Sequence, residues 1–216
     1  QLANAKTLAE AQSFVPGTSK TPEQPEEAPD GVLGGKSDTL RSWYLKKQLA
    51  REGKFSIDDA REIATDAYMI PHGPMSRLLA HSWKTYGDSF EKHDEISESI
   101  QKILAWDGRP NLHSWAPTIF TMWLWKTFNG TIMLPVSLME TPIHEIDEKF
   151  ARMLFDGMLA AQDELRALIP LPRVPWGLMH HLRRENRVWP IETGMYPAIS
   201  LMNANIATRG ETLGDL

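Results

Sequence analysis

From residue 38 onward, apolar side chains recur every three to five positions, the repeat that places them on one face of a helix. Leu40, Trp43, Tyr44 and Leu49 mark the first stripe, and Gly53 follows where a C-cap glycine would stand. Ser56 is an N-cap candidate for a second helix, with Asp58 and Asp59 in its first turn, where carboxylates oppose the positive end of the helix dipole. That helix should run to about Tyr68, before Pro71. Residues 75–86 carry Leu78, Leu79 and Trp83, and residues 94–106 carry Ile96, Ile100, Ile103 and Leu104. One stripe each predicts two half-buried helices. Between Ser114, a possible cap, and Phe128 the apolar positions go nearly all the way round, so this helix is expected at the centre. Ile146, Phe150, Met153, Leu154, Met158, Ala161, Leu165 and Leu168 keep the helical period over more than five turns, until Pro170 and Pro172 stop it. Strand signals are few, the best being residues 131–136, and no fixed-period repeat is present.

Residues 15–37 break the pattern. Pro16, Pro22, Pro25, Pro29, Gly17, Gly31, Gly34 and Gly35, together with Glu23, Glu26, Glu27 and Asp30, leave no room for a helix or central strand. The chain therefore divides into an N-terminal arm over residues 1–37, a helical body over 38–189 and an irregular segment over 190–216.

Charge and composition narrow the partners. A net charge of −5 with dispersed Lys and Arg argues against nucleic acid and anionic membrane surfaces. The absence of Cys removes disulfides, thiolate metal sites and Cys nucleophiles. The most apolar run, residues 115–128, is shorter than the ~20 residues needed to cross a bilayer, and no basic-then-apolar leader stands at Gln1, so the chain reads as soluble with any signal peptide already absent. Eight Trp residues suit either a core or an apolar binding cleft.

Self-contained chemistry is scarce. His144-Glu145 lacks the second His of a zinc helix, and His180-His181 are neighbours that point in different directions, so no metal and no cofactor is expected. Gly34-Gly35-Lys36-Ser37 lacks the upstream glycine and strand of a phosphate loop. Asn129-Gly130-Thr131 has the form of a glycosylation acceptor, and a loop turn accounts for it equally well.

One segment fits no regular period: Val174-Pro175-Trp176-Gly177-Leu178-Met179-His180-His181, followed by Trp189-Pro190-Ile191 and Gly194. It resembles the W-G-x-x-H stretch late in the long chain of penicillin-acylase-type amidohydrolases. Upstream pieces agree in order. Arg41 opens a helix, Lys54-Phe55-Ser56-Ile57-Asp58-Asp59-Ala60 is similar to the family's next helix start, and Leu104-Ala105-Trp106-Asp107-Gly108 is similar to its W-D-G segment. Ser114 then precedes an aromatic helix ending in Trp123-Leu124-Trp125, as in the family. These pieces span approximately residues 38–194.

The resemblance implies a mostly α chain that is the helical segment of an α+β N-terminal-nucleophile hydrolase, without most of the central sheet. It implies hydrolysis of the amide bond of acylated amines such as β-lactams, acyl-homoserine lactones or acylated peptides, in the periplasm or outside the cell. Asn4 would lie where the family has an oxyanion-hole amide, and Arg41 would match its active-site arginine. Trp176 and His180 are the candidate substrate-binding residues. The family's nucleophile is the first residue of its long chain, whose own α-amine is the base. Gln1 cannot serve so, and the nucleophile and central strands are expected before residue 1, with more strands after Leu216. The partners are then the acylated substrate and the remaining segments of the enzyme. Two other readings stay open: a non-catalytic helical interaction module whose Trp-rich groove takes a partner helix or peptide, and a carrier of an apolar ligand.

Overall fold

The computed structural model describes residues 39–50, 53–130, 134–184 and 187–193. Among these the chain is mostly helical: α1 (Leu40–Leu49), α2 (Ile57–Thr65), α3 (His72–Tyr86), α4 (His93–Leu104), α5 (Ala116–Thr127), α6 (Val136–Met139), α7 (Glu148–Leu168) and α8 (Trp176–Met179), with short 3₁₀ turns at Gly87–Ser89 and Ile143–Glu145. A two-stranded antiparallel hairpin follows, β1 (His181–Arg184) and β2 (Arg187–Pro190), pairing Leu182 with Trp189. The N-terminal arm, with Asn4, and residues 194–216 lie outside the described residues.

Local chemistry accounts for most boundaries. Thr39 caps α1 by accepting from the Ser42 N–H. Ser56 and Asp59 form a reciprocal capping box at α2, and Asp147 caps α7 by accepting from the Phe150 N–H at 2.7 Å. Ser114 does receive a backbone N–H, from Ala116 at 3.2 Å, but stands one residue outside the N-cap, which is Trp115.

Helix α5 is the centre of the body. Ile119, Phe120, Trp123 and Leu124 are all buried, as its unbroken apolar composition demands. It packs chiefly along α7, with α3 and α4 closing the core around them. Two contacts set the spacing of the central pair. The Trp123 indole Nε1–H donates to Leu154 O at 2.9 Å, which satisfies a polar atom deep in the core. Gly157 of α7 meets Thr127 of α5, and a Cβ there would stand 3.0 Å from the Thr127 Cα. The two backbones can come this close only without a side chain.

Helices α1 and α2 are attached differently. Helix α2 buries none of its residues, and among the described residues neither helix packs extensively along another. Leu40 and Trp43 bury one side of α1, and the Trp43 Nε1–H donates to Glu140 Oε1 at 2.7 Å. Arg77 of α3 in turn donates to Met139 O and Thr141 O, fixing the loop that carries Glu140.

Three expectations need correction. Helix α2 stops at Thr65 rather than near Tyr68, because Asp66 turns to extended backbone and its side chain accepts the Tyr68 N–H at 3.0 Å. The strand anticipated over 131–136 does not form at its described end: Leu134 and Pro135 are outside any strand and Val136 opens α6, while 131–133 lie outside the described residues. The hairpin at 181–190 was not anticipated at all. Its ten positions carry three arginines and a glutamate, which hide any period of two.

Candidate functional site

The W-G-x-x-H segment is a knot joining three parts of the chain. The backbone N–H of Trp176 donates to Ser114 O at 2.8 Å and that of Gly177 to Leu112 O at 2.9 Å, so α8 is laced to the loop that leads into α5. Gly177 is closely enclosed here: a Cβ would lie 3.3 Å from both Leu112 O and the Pro190 Cβ, so a side chain would make these neighbours give by a few tenths of an ångström. Four residues after Trp176, one helical turn on, the His180 ring stacks on the indole with centroids 4.8 Å apart. Both side chains then reach Thr193: the indole Nε1–H donates to its carbonyl at 3.0 Å, and His180 Nε2 meets its hydroxyl at 3.2 Å. The spacing of the motif is thus a packing requirement.

His180 is almost wholly buried. Its Nδ1 is buried with no partner among the described residues. Burial, helped by the neighbouring His181 charge, lowers its pKa to about 4. It is a neutral ring at physiological pH, suited to packing and hydrogen bonding rather than to carrying charge. Trp176 is likewise covered, at 1% exposure.

Arg41 sits on α1, half-buried, three residues before Tyr44. Asn4 lies outside the described residues. The structure therefore brings Trp176 and His180 together, whereas Arg41 belongs to a separate element whose surroundings were not anticipated from sequence.

Those surroundings form an aromatic and acidic cluster. Tyr44 of α1 stacks on Tyr68, centroids 5.5 Å apart, and its hydroxyl donates to Asp66 Oδ2 at 3.4 Å. Asp66 Oδ1 also receives Arg109 Nη2 at 3.2 Å, and the guanidinium lies 5.5 Å from the Tyr68 ring centre. The Tyr68 hydroxyl accepts the Gly73 N–H at 2.8 Å, satisfying one of the orphan donors of α3, which has no side-chain cap. His72 packs edge-on against Tyr68, Trp106 and Phe120, and its Nε2–H donates to Ile103 O at 3.2 Å.

The Trp106-Asp107-Gly108-Arg109 turn is built into this cluster. The Trp106 Nε1–H donates to Arg109 O, the Arg109 N–H to Asp107 Oδ1, and the Met69 N–H to Gly108 O, each at 2.9 Å. Gly108 has φ +80°, and a Cβ would come within 2.7 Å of His72 Nδ1. A glycine is therefore required on two counts. The W-D-G order was visible in sequence, but its partners Tyr44, Asp66 and Tyr68 were not. Burial raises the Tyr44 pKa to about 12, with Asp66 adding to the shift, so this hydroxyl stays protonated and donating.

The body is thus a helical scaffold that carries two built clusters, one around Asp66 and one around Trp176 and His180. Comparison with known families is consistent with this: the chain matches the family model described as Penicillin amidase over residues 3–212, and it belongs to that family. The family makes it part of an amidohydrolase. No curated protein matches the chain.

Proposed function

We propose that the chain is the helical part of an acylase that hydrolyses the amide bond of acylated amines, of the penicillin, acyl-homoserine-lactone or acyl-peptide type, with an amino-terminal nucleophile supplied from outside the helical body. The family match over residues 3–212 carries this reading. Asn4 supplies its side-chain amide to the oxyanion hole, and Arg41 supports the nucleophile and that amide. Trp176 and His180 back the substrate site. Both are buried, so they act through the surface that the knot around Thr193 holds in place. The enzyme works in the periplasm or outside the cell. No described helix is long and apolar enough to cross a membrane.

The test uses the complete enzyme with phenylacetyl and fatty-acyl amides as substrates. Asn4→Ala should lower kcat by roughly 10²–10³ with little change in KM, because an oxyanion donor acts mainly in the transition state. Arg41→Ala should also lower kcat. Wild-type kcat in the Asn4→Ala enzyme would remove residues 1–5 from the site.

A further inference from the structure

We propose that Asp66 is a positioning residue of the hydrolytic reaction, holding Arg41 in place through Tyr44 and α1. The inference rests on the role given to Arg41 above. Among the described residues helix α1 has no long packed interface with another helix, and the side chains of Trp43 and Tyr44 tie it to the body. Trp43, bonded to Glu140, fastens one flank. Tyr44, three residues after Arg41 and therefore its neighbour on the helix surface, fastens the other through Asp66 and Tyr68.

Asp66 is well placed to act as the fixed point. Its side chain is only 14% exposed and accepts from three donors on three segments: the Tyr44 hydroxyl on α1, the Tyr68 N–H before α3, and Arg109 in the loop after α4. The Tyr44 hydroxyl lies 3.4 Å from Asp66 Oδ2, the long end of hydrogen-bonding distance, so the carboxylate holds α1 together with the Tyr44–Tyr68 stack rather than in place of it. The high Tyr44 pKa keeps the donor in place across the working pH range. Catalysis is sensitive to such placement: a displacement of about 1 Å can cost on the order of 10² in rate.

The experiment again uses the complete enzyme. Asp66→Asn keeps the shape and removes the charge, and Tyr44→Phe removes only the hydroxyl. Each should lower kcat for an acyl amide by roughly tenfold with KM little changed. In an Arg41→Ala background the same substitutions should cost almost nothing further, because the group being positioned is gone. Undiminished kcat in Asp66→Asn, or an equal loss with and without Arg41, overturns the proposal. Backbone hydrogen exchange supplies a readout independent of turnover: residues 40–49 should exchange faster in Asp66→Asn while residues 148–168 keep their protection. If the wild-type enzyme hydrolyses no acyl amide, the functional reading has failed. Exchange then decides by itself whether Asp66 holds α1, and unchanged exchange at 40–49 would sink that claim too.

Discussion

At the scale of the residue, His180 carries the clearest consequence for pH. Its pKa is about 4 in the folded protein, against an ordinary value near 6.5 in the unfolded chain. As pH falls below about 6.5 the unfolded state takes up the proton first, so stability is complete above that pH and declines toward pH 4. The slope from this one ring is at most ~1.4 kcal/mol per pH unit. His72, whose pKa burial also lowers, acts in the same direction. We expect His180→Gln to be less stable than wild type at pH 7.5, through loss of the stack on Trp176, but to lose less on going from pH 7 to pH 4.5. Urea unfolding at the two pH values measures the difference. Parallel pH slopes for the two proteins would contradict a buried neutral His180.

Between elements, the approach of α5 and α7 is the most exacting contact. Alanine is the better helix former than glycine by ~1 kcal/mol, so on propensity alone Gly157→Ala should stabilise α7. Sterics oppose it, because the added Cβ would meet the Thr127 Cβ at 2.9 Å and Cα at 3.0 Å. The obstacle is partly backbone and cannot rotate away; the helices would have to separate, with loss of the packing around Trp123 and Phe155. Overpacking of this kind costs typically ~1–3 kcal/mol, and here it outweighs the propensity gain. Gly157→Ala should therefore lower Tm by several degrees, as scanning calorimetry would register. A raised Tm would mean that the pair is less tightly apposed than described.

Over the whole molecule, the proposed function assigns the helical body supporting groups, with the nucleophile supplied from elsewhere. His72 and His180, the buried histidines with lowered pKa, are engaged in packing and hydrogen bonds, and Asp66 accepts from three donors. Without Cys, the chain has no thiol nucleophile either. Under the proposed function the isolated 216-residue chain should hydrolyse phenylacetyl and fatty-acyl amides no faster than a blank. Turnover by the purified chain, abolished by one substitution within it, would place the nucleophile inside it.

The helices themselves are written locally. Periodicity at α5 and α7, the Ser56 and Asp147 caps and the prolines after α7 each act within a turn or two of the backbone, so they can be read without knowing what packs where. The family resemblance rested on the same kind of short, ordered run. The distant partners of Asp66 were invisible because Tyr44 and Arg109 are brought to it by packing, Arg109 from 43 positions away, whereas the Tyr68 N–H two residues on is a local turn. The end of α2 was misjudged because the helical pattern continues past Thr65, while Asp66 leaves the helix to accept the Tyr68 N–H and Arg109, and the Tyr68 hydroxyl accepts the Gly73 N–H at the start of α3. The hairpin is likewise a tertiary product: its exposed second strand is held by pairing with β1 and by the Ile191 N–H bond to His180 O. Local periodicity reports which face of an element is buried; only the folded chain decides which distant groups that burial brings within hydrogen-bonding reach.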